Sequence, residues 1–239
     1  MVKFLHNTAA AVHGKWVIIS DLHIGKKDGV GWKATAEIVR NIMEQEKRKN
    51  LLILGDVKAS VTETEGDAGK FIREIGKEYS LHITKGNHDG GIEKYSEYCT
   101  VHGAGGAIIY DDGKIGLGRD AKPKIGVMHG HAWPDAELLR CGTIMMGHSH
   151  PQLLFGSEIK HSEKVWVIGQ LNTSALEECY GKEAGIRKKI RIICVPAFGP
   201  WKGWRSQDGS ERLRSPLLNE NIFIKSSAEI YLLNGIRVK

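Results

Sequence analysis

Apolar positions in this chain come in short unbroken runs, each closed by a turn that carries polar residues. Lys15 to Ser20, Leu51 to Leu54 and Leu81 to Thr84 read as strands. The second is apolar throughout, as a strand covered on both faces should be. Between them the period changes to that of a helix. From about Ala34 to Lys49, Ile38, Ile42 and Met43 share one face, and Glu44, Glu46, Lys47, Arg48 and Lys49 supply a solvated one. The basic residues fall at the C-terminal end, where the helix dipole favours them. A second helix is predicted from about Thr64 to Tyr79, with Phe71, Ile72 and Ile75 inward. The first half therefore reads β-α-β-α-β, an α/β arrangement.

Past Thr100 the pattern changes to short strands and glycine-rich turns. Ala107 to Ile109 and Ile115 to Leu117 flank Asp111-Asp112-Gly113 and predict a second sheet. Ile125 to Met128 and Thr143 to Met146 continue it, with a short helix over Pro134 to Leu139 between them. Val165 to Ile168 and Ile190 to Val195 are strand-like. Glu229 to Leu233 and Ile236 to Val238, joined by Asn234-Gly235, predict a terminal hairpin. No repeat or linker stands out in the 239 residues. One domain over 1–239 is expected, with 160–239 completing the second sheet.

Composition narrows the class. Hydrophobic residues make up 41% and charged residues 26%, an ordinary globular balance. No run approaches the roughly 20 apolar residues of a membrane span. Met1 to Val12 makes a poor signal peptide, because its apolar patch is broken by His6, Asn7 and Thr8. Cys99, Cys141, Cys179 and Cys194 are widely spaced, which argues against a disulfide framework or zinc ribbon and fits buried thiols in a reducing cytoplasm. The net charge of +6 favours a polyanionic partner such as nucleic acid.

The turns that close the strands carry the chemistry. Asp21 and His23 follow the first strand, Asp56 the second, Asn87-His88-Asp89 the third, His129 a fourth, and His148 and His150 a fifth. Ligands of α/β proteins gather at such carboxyl ends. On an extended strand end, Asp21 and His23 would leave on the same side and grip one ion together, and His148 and His150 would repeat that geometry. Asp56 offers two oxygens and can bridge two cations. Asn87 adds an amide oxygen and His129 another imidazole. This mixture of donors suits Mn, Fe or Zn better than Ca. Two ions about 3.5–4 Å apart clamp a phosphate and lower the pKa of water towards roughly 7. His88 sits beside Asn87 to protonate the leaving alkoxide, with Asp89 expected to orient and charge the His88 ring.

The order Asp21-x-His23, Gly55-Asp56, Gly86-Asn87-His88-Asp89, His129-Gly130 and Gly147-His148-x-His150 resembles that of the calcineurin-like metallophosphoesterases. The resemblance covers about Trp16 to His150. It implies a four-layer α/β sandwich, in which two facing mixed β-sheets are flanked by helices, around a dinuclear centre. Mn is the first expectation for that centre, with Fe, Zn or Ni as alternatives. Carried onto this chain, one ion takes Asp21, His23, Asp56 and His150, and the other takes Asp56, Asn87, His129 and His148. His88 becomes the leaving-group acid. A narrower similarity, to SbcD-related nucleases and DNA-ligase-associated phosphoesterases, rests on Ile19 to Gly25 and Pro196-Ala197-Phe198. Many members continue the second motif as Gly-Asp-x-x-Asp/Glu. Here Ala59 stands at that position, so the carboxylate is missing or comes from elsewhere.

Substrate clues are thinner. His131 is placed behind the ligands or facing substrate. Lys26 and Trp32 follow the first ligand pair and are expected to border the site. Arg187 to Arg191 and Trp201 to Arg205 mix charge with apolar or aromatic residues, as phosphate- and base-binding stretches do. A solvated hairpin end and packed tryptophans account for them more simply. The expectation is a cytoplasmic metal-dependent phosphodiesterase, foremost a nuclease on DNA or RNA. The alternatives are an enzyme for cyclic nucleotides, nucleotides or phosphomonoesters, and a scaffold that keeps metals without catalysis.

Overall fold

The structure is a computed structural model that describes residues 1–25, 30–61, 66–156, 161–199 and 215–239. Strands β1 (Val2–Phe4), β2 (Ala11–His13), β3 (Trp16–Ile19), β4 (Asn50–Ile53), β5 (Ser80–Thr84) and β6 (Thr100–His102) form one sheet in that order. Its first three strands are antiparallel, and β3 to β6 are parallel. Helices α1 (Trp32–Gln45) and α2 (Asp67–Glu78) make the crossovers on its outer face.

The second sheet contains β7 (Ala107–Tyr110), β8 (Ile115–Gly116), β9 (Pro123–Met128), β10 (Thr143–Met146), β11 (Gln152–Phe155), β12 (His161–Leu171), β13 (Arg191–Cys194) and β14 (Phe223–Leu232). Its order is β11-β12-β13-β10-β9-β7-β8, with β14 also paired to β12. Pairings β9-β10 and β10-β13 are parallel, so the sheet is mixed. Helix α3 (Thr173–Tyr180) and short 3-10 turns cover its outer face.

The unbroken apolar runs follow from this layering. Successive residues of a strand point to opposite faces, and here both faces are buried. Val17, Ile19, Leu51 and Ile53 join the layer beneath α1 and α2, whereas Trp16, Ile18, Leu52 and Leu54 meet the second sheet. Met145, Val127, Ile193 and Trp166 face them from that sheet. Each such side chain contributes about 1.5–3 kcal/mol by burial. The product is the α/β four-layer sandwich.

Several local expectations are corrected. Helix α1 buries Thr35, Ala36, Val39, Ile42 and Met43, while Ile38 is 46% exposed. The inward stripe runs one position away from Ile38, because small Thr35 and Ala36 let the helix approach the sheet. The helix also stops at Gln45, and Lys47 takes a left-handed φ of 52°, so the basic run lies beyond the helix rather than in its last turn. Cys99, Cys141 and Cys194 are buried thiols, but Cys179 is exposed on α3. Strands β1, β2 and β11 and helix α3 are too short to carry a readable period. Strand β14 begins at Phe223, well before the expected Glu229, because pairing with β12 extends it. None of the described helices is long and apolar enough to cross a membrane.

Candidate metal centre

All five turns singled out in the sequence open from the carboxyl ends of strands, namely β3, β4 and β5 in one sheet and β9 and β10 in the other. The facing sheets bring these ends together. Asp21, His23 and His150 form one group of donor atoms, and Asp56, His129 and His148 form a second, each group lying within 4.8 Å. Asp56 Oδ2 is 3.8 Å from His23 Nε2 and 3.4 Å from His129 Nε2, which places it between the groups. Asn87 joins the second group, with its Oδ1 3.2 Å from His129 Nε2.

The backbone that achieves this differs from the extended geometry expected. Asp21, His23, Asp56, His148 and His150 all have positive φ, between 41° and 65°. Non-glycine residues seldom occupy this region, and it costs roughly 1–3 kcal/mol each where it persists. The ligand pairs converge because tight left-handed turns fold their side chains inward. Two motif glycines make the room. A side-chain carbon on Gly147 would collide with Ser20 Oγ and Asp21 Oδ2, and one on Gly86 would collide with the Asp56 carboxylate and amide.

Hydrogen bonds fix which atoms face the centre. His129 Nδ1 donates to Leu54 O at 2.7 Å, leaving Nε2 to face Asn87 and Asp56. Ring orientation by a backbone carbonyl is the usual support of a ligating histidine. His88 Nδ1 donates to Ala59 O at 2.9 Å, and its Nε2 lies 4.0 Å from Asp56 Oδ2. The Asp21 carboxylate accepts from Ser20 Oγ and from the His148 amide.

The electrostatics are those of a cation site. Burial alone would raise the Asp21 carboxyl, but His150, followed by His129 and Ser20, holds it well below the usual carboxylate range. Burial opposes charge on His129 as well, yet Asp56 and Asp21 push it up to about 9. His23 is pushed down to about 4 by burial, against the pull of Asp21 and Asp56. His23 Nε2 and His150 Nε2 face each other at 3.2 Å, and both approach Asp21 Oδ1. Two imidazole nitrogens and a carboxylate converging on one point are all acceptors once deprotonated, so the arrangement fits a cation between them.

Asp89 does something other than orient His88. Its buried carboxylate accepts four backbone N–H groups, from Gly86 at 2.9 Å, Asp56 at 2.8 Å, Val57 at 3.0 Å and Lys58 at 3.3 Å. It ties the Asp56 turn to the Asn87 turn, and the His88 ring is fixed by Ala59 instead. Position 59 contributes no carboxylate here, only the backbone carbonyl that holds His88 Nδ1.

His131 lies beside His129 and His148, its ring centroid 5.2 Å from the first and 6.0 Å from the second. Its Nδ1 is buried without a hydrogen-bond partner. Trp32 forms the first turn of α1 and packs, partly buried, against the layer outside the first sheet. Lys26 and the Trp201 to Arg205 stretch lie outside the described residues.

Two facing mixed sheets with paired Asp/His groups at their strand ends define a class of hydrolases acting on phosphoric esters. The model of the calcineurin-like phosphoesterases matches residues 14–221, and the chain belongs to that family. Metallophosphoesterases of this kind use a dinuclear metal centre. Among solved structures, the chain is similar to the nuclease MPE of Pseudomonas putida, at 17% identity and a TM-score of 0.54, over 96% of this chain and 89% of that one. It also matches YfcE, a phosphoesterase from E. coli, at 13% identity and a TM-score of 0.41, over 94% of this chain and 96% of that one. No curated protein matches the chain in sequence.

Proposed function

We propose that this protein is a metal-dependent phosphodiesterase that cleaves nucleic acid, with His88 as the proton donor to the leaving group. The observation that carries this reading is the placement of Asp56 between two donor groups, with His88 Nε2 4.0 Å away. Asp21, His23 and His150 would hold one cation, and Asn87, His129 and His148 the other, with Asp56 shared. A bound pair of divalent cations, Mn foremost with Fe, Zn or Ni as alternatives, would draw charge from a phosphoryl group and make water nucleophilic near neutral pH.

The chain's own residues then have defined tasks. The Ala59 carbonyl keeps the Nδ1 proton of His88, so Nε2 is the atom free to give a proton to a departing oxygen. Nucleic acid is favoured by the net charge of +6 and by the nuclease among proteins of similar fold. It is also favoured by Trp133, which is 45% exposed although an indole is usually buried. Trp133 follows His129 by four residues, at most about 14 Å along the chain. Its ring is steadied edge-on by Tyr180, whose hydroxyl donates to Pro134 O. Such a ring can stack a base, for about 1–3 kcal/mol. The free cysteines support a reducing, cytoplasmic setting.

The test is hydrolysis of bis(p-nitrophenyl) phosphate and of single-stranded DNA before and after chelation. Both activities should vanish with chelator and return with Mn. A cyclic dinucleotide and a phosphomonoester in the same panel separate a nuclease from a small-molecule enzyme. Absence of metal-dependent hydrolysis on every member would overturn the reading.

A further inference from the structure

Lys164 is a lysine with an unusual occupation. It stands on β12, outside the strand-end motifs themselves, and burial pushes its ammonium down to about 8. Its bonds run to two backbone carbonyls, Gly199 O at 2.6 Å and Phe198 O at 3.3 Å, and among the described residues no carboxylate pairs with it. The side chain is half-buried, and taking an ammonium even partly out of water without a counter-charge is costly, so this cation is retained against a penalty.

What it holds is the other side of the metal centre. Phe198 N donates to Ser20 O at 2.7 Å and Gly199 N donates to Asp21 O at 3.1 Å. The carbonyls of the 198–199 segment are thus tied to Lys164, and its amides are tied to the turn that carries Asp21 and His23. That turn has left-handed φ at both ligands, 54° and 47°, a conformation that persists only where surroundings impose it. The contact is close enough to exclude a side chain at position 199, where a Cβ would collide with Leu22 O. Lys164 also lies at the exit of the other ligand of this group. It pairs in register with Gln152, two residues past His150, and the neighbouring Val165 N donates to Pro151 O at 3.1 Å.

We propose that Lys164 is a positioning residue for the Asp21–His23–His150 half of the centre. It acts through the Phe198–Gly199 segment, which it pins against the strained Asp21 turn. Among the described residues its ammonium bonds to the Phe198 and Gly199 carbonyls and to no ligand side chain. The inference rests on the reading of the two donor groups as metal sites, and it assigns a function to the Pro196-Ala197-Phe198 stretch that the motifs alone leave unexplained.

The experiment is Co²⁺ binding to the apoprotein, followed by calorimetry and by the visible absorption of the bound ion, for the native chain and Lys164→Met. Native protein should take two equivalents. Lys164→Met should take one with native affinity and the second about 10- to 100-fold more weakly, the usual effect of removing an outer partner of a ligand. Lys164→Arg, which keeps the cation, should recover part of the loss. Gly199→Ala perturbs the same turn from the opposite side and should weaken the same equivalent, which keeps the test decisive where Lys164→Met fails to fold. Two equivalents of native affinity in Lys164→Met or in Gly199→Ala would overturn the inference. Native protein that binds fewer than two equivalents would instead overturn the metal-site reading beneath it.

Discussion

At the scale of single residues, the centre separates side chains that face the donor cluster from side chains that hold the backbone, and neighbours in sequence fall on opposite sides of that division. His88 and Asp89 are adjacent, yet one is half-buried at the site and the other is a buried acceptor for four N–H groups. His88→Ala should keep its metals and lose about 10²- to 10⁴-fold in kcat, most severely with poor leaving groups, as loss of a general acid does. A plot of rate against leaving-group pKa checks this. A slope unchanged from native protein would show the proton comes from elsewhere. Asp89→Ala should behave differently. It strands buried N–H donors and should cost about 2–4 kcal/mol of stability, together with looser metal binding through Asp56. Denaturant melts and metal titration of this variant distinguish backbone support from tuning of the His88 ring. The Asp-His order was legible from residue types, but the partner of the carboxylate was not. Its four donors come mostly from the Asp56 turn, on another strand.

Among elements, the parallel strands β5 and β6 carry a histidine pair, apart from the two donor groups, that links stability to pH. His82 Nδ1 and His102 Nε2 are 3.0 Å apart, and His82 also meets Trp16 edge-on. Burial, followed by the neighbouring His102, pushes His82 down to about 4. The ring is therefore neutral in the fold at pH values where it would be protonated in the unfolded chain, whose histidines titrate near 6.5. Between those values the unfolded state binds more protons. The contribution is complete above about pH 6.5 and falls as the pH drops toward 4, by up to about 1.4 kcal/mol per pH unit. Urea midpoints at pH 7 and pH 5 should show this loss, and His82→Leu should flatten it. An equal slope in that variant would assign the acid sensitivity to other groups. At this scale the strands of the sheet centres were readable, because both faces of β3, β4 and β10 are covered and, past the opening Asn50 and Thr143, every position is apolar and buried. Helix α1 was readable in outline, while its inward stripe was shifted by the fit of Thr35 and Ala36 against the sheet.

For the whole molecule, two sheets that each bring part of the ligand set must face one another before any centre exists. Asp21, Asp56 and Asn87 come from the first sheet, and His129, His148 and His150 from the second. The interface of Trp16, Ile18, Leu52 and Leu54 against Val127, Met145 and Trp166 fixes their separation. The charge of +6 acts at the same scale. Cleavage of DNA should fall steeply between about 50 and 200 mM salt as counterion release weakens binding, while bis(p-nitrophenyl) phosphate should respond little. Equal salt profiles for the two substrates would count against a nucleic-acid substrate. By itself the amino-acid order determined the strand ends, the α/β class and the set of donors, because strand period and turn chemistry are local. Tertiary structure alone decided the left-handed turns that aim the ligands, the carboxylate that braces the Asp56 loop and the half-buried lysine behind Asp21. Those depend on hydrogen bonds between segments far apart in the chain, and no local pattern encodes which distant carbonyl or amide will be waiting.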